Sequence, residues 1–146
     1  MISKTVFTKL SAVLLCVLLA VLFVSCDAPG VFRLDDALPQ LSDDTAGIQN
    51  ILSVTIEDLS SGKSVSFSEA SEINAVRMRF EGIKYIREKA AGTEETGYRV
   101  TFITDGGKND LTLSFSSSDS FTMGEYRCDI MYSGIDTVYF AGLFDK

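Results

Sequence analysis

The feature that most limits what this chain can fold into is an apolar run near its start. Residues 10–24 are apolar except for Ser11, and Lys4 and Lys9 make the preceding residues basic. A basic start, a short apolar run and a small residue before a cleavage point are typical of a secretory signal peptide. A membrane-spanning helix needs about 20 apolar residues, so this run of 15 residues is short for a permanent span. The folded domain is therefore expected to come from the residues that follow.

Cys26 stands directly after this run, at the end of the sequence Phe23-Val24-Ser25-Cys26. The arrangement resembles the signal of bacterial lipoproteins, whose lipobox ends in a small residue followed by cysteine. Phe23 departs from that pattern, because the family usually has leucine at this position. The resemblance implies a signal peptide over residues 1–25, cleavage between Ser25 and Cys26, and a diacylglyceryl thioether on Cys26.

Such a lipid would determine how the protein associates with the membrane. Two acyl chains, such as palmitate, give a stable anchor, whereas one chain gives only marginal binding. The resemblance therefore implies a lipoprotein of the cell membrane that faces the extracytoplasmic side, either the periplasm or the cell exterior. Secretion without a lipid and an uncleaved signal anchor are the two alternatives.

Residues 26–49 have the composition of a flexible, acidic tether. They contain both prolines of the chain, Pro29 and Pro39, and Arg33 is their only basic residue. Prolines, negative charge and scattered hydrophobic residues favour a disordered linker that repels itself. The segment is expected to act as a spacer, and a partner-binding motif around Phe32 that orders on contact is the alternative.

Residues 50–146 have the patterns of one small folded domain. Apolar and polar side chains alternate over residues 51–57, which predicts a half-buried strand. Residues 58–63 are rich in turn formers, and Val65 and Phe67 continue the alternation beyond them. Together these segments predict a β-hairpin.

A helix is predicted after the hairpin. Ile73, Val76 and Phe80 are three and four residues apart, a spacing that places them on one helical face. That face is expected to pack on a sheet, while Arg77 and Arg79 remain in solvent.

The rest of the domain returns to the strand pattern. Strands are expected over residues 83–89, 98–102, 111–115 and 126–130. Residues 135–144 fit either a helix or a strand, and their threonine, valine, tyrosine and phenylalanine favour a strand. The predicted fold class is α+β, with one helix packed on an antiparallel sheet of about five to seven strands.

The charge of the chain argues against nucleic acid as a partner. Without Lys4 and Lys9 the chain has 11 basic and 20 acidic residues, a side-chain net charge of −9. Proteins that bind nucleic acid cluster lysine and arginine to neutralise phosphates. Anionic lipid headgroups would also repel such a domain as a whole, so the membrane is expected to be reached through the lipid on Cys26.

Composition also limits the chemistry that the domain can perform. The chain has no histidine, which removes histidine bases, serine–histidine and cysteine–histidine pairs, and the usual zinc sites. Cys128 is at an apolar strand position, where a buried, inert thiol is expected. No catalytic residue, cofactor or metal site is predicted.

Two short matches to known motifs are better explained as turns. Residues 60–63 satisfy the S-x-x-K pattern of penicillin-interacting serine enzymes, but they fall in the predicted hairpin turn rather than at the start of a buried helix. Residues 105–110 offer oxygen ligands for calcium, but the EF-hand spacing is missing. A plain β-turn is expected there.

Two function classes remain open. The first is a lipid-anchored, non-catalytic binding or interaction module for an envelope protein, a glycan or a small ligand. The second is a small hydrolase or carbohydrate-processing enzyme that uses carboxylates. Residues 51–115 loosely resemble small bacterial lipoprotein domains in which a hairpin leads into a helix and a meander, and this resemblance implies no activity.

Overall fold

The computed structural model describes residues 30–38, 51–89, 96–107 and 110–145. Within these ranges the chain forms one antiparallel sheet of eight strands, in the order β1-β4-β8-β7-β6-β5-β2-β3. The strands are β1 (Val31–Arg33), β2 (Ile51–Asp58), β3 (Lys63–Phe67), β4 (Lys84–Lys89), β5 (Tyr98–Thr104), β6 (Leu111–Phe115), β7 (Ser120–Met123) and β8 (Tyr126–Tyr132). The helices are α1 (Ala70–Arg77), α2 (Thr137–Gly142) and a 3₁₀ helix at Leu34–Asp36. The predicted α+β class with an antiparallel sheet is confirmed, but the sheet has more strands than the five to seven expected.

One face of the sheet is apolar and the other is polar, because successive side chains of a strand point to opposite faces. The inner face carries fully buried side chains from six strands: Val54, Ile56, Tyr85, Val100, Phe102, Leu113, Phe115, Phe121 and Cys128. Polar pairs cross the outer face. The hydroxyls of Thr55 and Ser66 are 2.9 Å apart, and Arg99 pairs with Glu57 at 3.2 Å. The core therefore lies on the inner side of the sheet.

Helix α1 and the turn after it cover part of the inner face, as their spacing predicted. Ile73, Val76 and Phe80 are all buried. The Phe80 ring meets the rings of Phe102 and Phe115 edge-on, with centroids 6.2 and 6.0 Å away. Such aromatic pairs stabilise the core beyond the area that they bury.

Arg77 and Arg79, both expected in solvent, differ in their exposure. Arg79 is exposed, as predicted, and pairs with Asp136 at 3.1 Å. Arg77 is only half-exposed, and its Nε atom is buried without a hydrogen-bond partner within the described residues. The prediction that Arg77 stays in solvent is therefore wrong, because the guanidinium lies partly against the domain.

The prediction of a strand over residues 135–144 is wrong, because Thr137–Gly142 within this segment forms helix α2. Asp136 caps the helix by accepting a hydrogen bond from the Tyr139 N–H at 3.1 Å. Phe140 is fully buried, and its ring centroid is 5.0 Å from that of Phe115. The cap and the tertiary contact outweigh the local strand propensity.

Part of the expected tether belongs to the folded domain. Strand β1 pairs with β4 through Val31↔Ile86 and the next two pairs. Leu34 is fully buried, and its N–H donates to the Ile83 carbonyl at 2.9 Å. The prediction of a flexible tether over residues 26–49 is therefore wrong for residues 31–38. Their apolar side chains have no period along the chain, but pairing with a distant strand gathers them into the core.

Strand β7 was also not expected. It begins at Ser120, between the strands predicted over residues 111–115 and 126–130, and it pairs with β8 through four residue pairs that include Phe121↔Cys128. Phe121 is fully buried. The predicted signal peptide over residues 1–25 lies outside the described ranges, and none of the helices within them is long and apolar enough to cross a membrane.

Candidate functional site

An open groove with a volume of about 500 Å³ lies at one end of the sheet. Strands β6 and β7 pair only through Leu113↔Met123 and Ser114↔Thr122, so the start of β6 stands apart from the turn between β7 and β8. The groove lies in this opening. Its lining comes from four strands and their ends: Arg87, Asp110, Leu111, Thr112, Met123, Gly124, Glu125 and Tyr126. The volume is within the range of small-molecule binding sites.

The pairing register places the apolar part of the groove on the inner face. Leu111 lies opposite the buried Phe102, and Tyr126 lies opposite Met123. Leu111, Met123 and Tyr126 are only partly buried. Helix α2 packs at the other end of these strands, against Phe115. The groove is therefore a stretch of inner face that the described helices leave uncovered.

Arg87 is the basic residue that lines this groove. Its guanidinium carbon lies 4.0 Å from the ring centroid of Phe32 and 4.9 Å from that of Tyr126. These rings belong to β1 and β8, the strands on either side of β4. Within the described part of the chain, no ion pair or hydrogen bond involves this guanidinium. Its N–H donors are therefore available to an acceptor on a ligand.

Two carboxylates also line the groove, and both have partners. Asp110 accepts hydrogen bonds from the backbone N–H and the hydroxyl of Thr104, at 2.8 and 3.2 Å, and so closes the turn between β5 and β6. Glu125 pairs with Lys89 at 3.4 Å. The donors to Asp110 are neutral groups, so they satisfy its oxygens without balancing its charge, whereas Glu125 faces the Lys89 cation. Among the described residues, Arg87 has no anionic partner.

Cys128 and Tyr85 lie on the inner face next to Arg87. Burial raises the pKa of the Cys128 thiol to about 11, so the thiol stays protonated and unreactive at neutral pH. Burial also raises the pKa of Tyr85 above its ordinary value. Cys128 is a free cysteine with a fully buried side chain, which confirms the prediction of a buried thiol.

Residues 60–62 lie in the exposed hairpin turn that the sequence predicted, and Lys63 is the first residue of β3. The Ser61 hydroxyl donates to an Asp58 carboxylate oxygen at 2.6 Å, and the backbone N–H of Ser60 donates to the other oxygen at 2.9 Å. The hydrogen bond from Ser61 holds the pKa of Asp58 below its usual range. The serines of this S-x-x-K match therefore stabilise a hairpin.

The described residues of the 105–110 segment also form hydrogen bonds that stabilise a turn. Gly107 donates its N–H to the Thr104 carbonyl at 3.2 Å, and residues 108 and 109 lie outside the described ranges. Among the described residues, no group of three carboxylate or cysteine side chains is placed to hold a metal ion.

The sequence-predicted lipidation and cleavage residues, Cys26 and Ser25, lie outside the described ranges. The groove, in contrast, was missed by the sequence reasoning. A signal for it was present, because the alternation that buries Tyr85 continues to Arg87 on the same face. Arg87 is exposed at the groove, so its guanidinium is accessible to solvent or to a ligand.

Comparison of the chain with known protein families, with curated proteins and with solved structures finds no match.

Proposed function

We propose that this protein is a lipid-anchored component of the cell envelope whose folded domain binds a small ligand without transforming it. The lipobox-like residues that end at Cys26 support the anchor and the extracytoplasmic location. The observation that carries the binding role is Arg87, which lies over the rings of Phe32 and Tyr126 beside an open groove. An arginine held in this way is a common recognition group for a carboxylate or a phosphate.

A carboxylate-dependent hydrolase is the competing proposal, and the groove supports it less. A general-acid carboxyl needs an environment that shields it from water. Asp110 is exposed, and the Glu125 side chain is 59% exposed and paired with Lys89. Both carboxylates are better suited to holding hairpin turns than to donating a proton.

The anchor is tested by replacing the lipidated thiol. Cys26→Ala should abolish incorporation of labelled acyl chains and leave uncleaved precursor, because the thiol accepts the diacylglyceryl group that the signal peptidase requires. Cys128→Ala is the matched control and should be processed normally, since its thiol is buried in the sheet. Mass spectrometry that finds the mature N-terminus at any residue other than Cys26 would contradict the anchor.

The binding role is tested by photo-cross-linking in native membranes. A photoreactive amino acid at Glu125 lies at the groove, and one at Glu81 is exposed in the turn after α1, away from the groove. An adduct should form at position 125 and be absent at position 81. Arg87→Gln should weaken the adduct, whereas Arg127→Gln, which removes a charge from the outer face, should not. Equal adducts at both positions would argue against a specific site in the groove.

A further inference from the structure

We infer that the exposed edge of strand β3 pairs with the same strand of a second copy of this chain, so that the antiparallel sheet continues across a two-fold axis at Ser66. This inference goes beyond the proposed function, and it depends neither on the lipid nor on the groove. Among the described strands, β3 lies at one end of the sheet and has β2 as its single neighbour. Its other side is therefore open within the described part of the chain.

The hairpin turn shows which backbone groups face this open edge. The Gly62 N–H donates to the Asp58 carbonyl at 2.8 Å, so the backbone of Asp58 points toward β3. Asp58 lies opposite Lys63, and the backbone groups of successive strand residues point to alternate sides. Lys63 therefore faces β2, whereas Ser64 and Ser66 direct their N–H and C=O groups away from it. An edge with such groups can add a further strand.

The path of the chain after β3 leaves this edge accessible. Helix α1 turns back over the inner face, because Phe80 after it contacts Phe102 on β5 and Phe115 on β6. Before α1 begins, Glu69 still has an extended backbone, with φ −76° and ψ 135°. Its side chain makes no capping hydrogen bond to the helix and is exposed. The edge available for pairing therefore reaches Glu69.

One register of self-pairing matches the backbone, the apolar side chains and the charges together. With Ser66 on the two-fold axis, its outward backbone groups face those of Ser66 in the second copy. Val65 then lies opposite Phe67, and Lys63 lies opposite Glu69. Both are non-hydrogen-bonded pairs, in which side chains on facing strands come closest. The symmetry of the dimer forms each pair twice.

The neighbouring registers lose this match. With Val65 on the axis, Lys63 would face Phe67, and with Phe67 on the axis, Val65 would face Glu69. Each of these registers places a charge against an apolar side chain. The axis at Ser66 instead pairs apolar with apolar and cation with anion.

The two charges are available for this pairing in the single chain. Lys63 and Glu69 are exposed, and neither forms an ion pair within the described ranges. Asp58, opposite Lys63 on β2, already accepts hydrogen bonds from Ser60 and Ser61. A lysine on an edge strand ordinarily opposes pairing, and a second copy supplies the carboxylate that offsets it. This charge complementarity favours a second copy over an unrelated extended peptide.

The register is tested by disulfide formation in the full chain, in whichever cell fraction contains it. Ser66→Cys places two thiols across the axis, where hydrogen-bonded partners have Cα atoms about 5.5 Å apart, a separation that a disulfide spans. Ser64→Cys is the matched control on the same face, because four residue steps, about 14 Å, would separate its two copies.

A mild oxidant should link Ser66→Cys into a dimer and should link Ser64→Cys little. The unmodified chain gives the background from its own cysteines. Equal yields from the two variants would overturn the register, and a yield from Ser66→Cys no higher than the background would overturn the dimer.

The charge pairing is tested in the Ser66→Cys chain by the rate of dimer formation. Lys63→Glu and Glu69→Lys should each slow this rate about tenfold, because each converts two attractive pairs per dimer into two repulsive ones. The two changes together restore opposite charges and should bring the rate back to within about twofold. Glu72→Lys makes the same change of charge as Glu69→Lys, at an exposed position in the first turn of α1, and should leave the rate unchanged.

A double variant as slow as the single variants would overturn the pairing of Lys63 with Glu69. Slowing by Glu72→Lys equal to that by Glu69→Lys would do the same, since the effect would then come from the helix or from net charge. The comparison of Ser66→Cys with Ser64→Cys needs none of these charge changes, so it decides the register even if one of them weakens the hairpin.

Discussion

Cys128 gives the stability of the domain a defined response to alkaline pH. Its folded pKa of about 11 lies above the ordinary value of 9.0, because burial disfavours the thiolate. Above pH 9 the unfolded chain loses this proton while the folded chain keeps it. Stability should therefore be fully present below pH 9 and should fall as pH rises toward 11, by at most about 1.4 kcal/mol per pH unit from this group.

The prediction can be checked with urea titrations of the chain from Asp27 onward at several pH values. Cys128→Ala should have a shallower loss of stability between pH 9 and 11 than the unmodified chain. A residual slope is expected, since burial also raises the pKa of Tyr85 and of Tyr98. An unchanged slope in the variant would mean that the thiol is not shielded as described.

Phe80 is a central side chain of the aromatic core. It is fully buried, and it contacts Phe102, Phe115 and Phe140 with centroids 5.6 to 6.2 Å away. Phe80→Ala should cost about 3 to 5 kcal/mol of unfolding free energy, because it leaves a cavity among rigid rings. Met78→Ala is the control. Met78 is 57% exposed two residues earlier, so its change should stay within about 0.5 kcal/mol.

At the scale of elements, β1 and the 3₁₀ helix make residues 31–38 part of the folded domain. Leu34, the first residue of the 3₁₀ helix, is fully buried, and Leu52, on β2, is 54% exposed. Leu34→Ala should therefore cost about 2 to 5 kcal/mol, and Leu52→Ala should cost little. Urea titration measures both. Equal, small effects would mean that residues 31–38 are not held by the domain.

The strands that could be predicted from sequence are those of five or more residues in which apolar and polar residues alternate along the chain. Tyr98, Val100 and Phe102 predict β5 in this way. The helical spacing of Ile73, Val76 and Phe80 predicts α1. The sequence did not reveal β1, because three residues are too few for a period and their partner strand is distant along the chain. It also favoured the wrong structure for α2, where Asp136 and the burial of Phe140 override local propensity.

Predicting the groove requires the pairing register of the strands as well as the alternation of side chains along β4. Arg87 can be placed on the inner face from Tyr85 alone, but only the sheet order puts Phe32 and Tyr126 on its two sides. The opening between β6 and the β7–β8 turn depends on where pairing stops. A one-dimensional pattern does not contain that information.

At the scale of the whole molecule, the net charge and the proposed lipid anchor act in opposite directions. The residues after Cys26 carry a side-chain net charge of −9, so surface charge cannot be what holds the domain to an anionic membrane. Washing membranes at about 1 M salt, where the Debye length is about 3 Å, should therefore leave the protein bound. Detergent should release it. Immunoblots of the washed and extracted fractions check this, and release by salt alone would contradict anchoring by lipid.

The position of β8 has a consequence for when the domain can form. Although β8 is the last strand within the described residues, it lies between β4 and β7 and joins the β1–β4 pair to the other five strands. In the proposed export through a translocation pore, a chain that has emerged only as far as β7 has two separate pieces of sheet, with no backbone ladder between them among the described strands. Since such long-range pairing is slow and exposes unpaired strand edges until it is complete, the protein should fold after export is finished, and truncation before Tyr126 should leave a protease-sensitive chain.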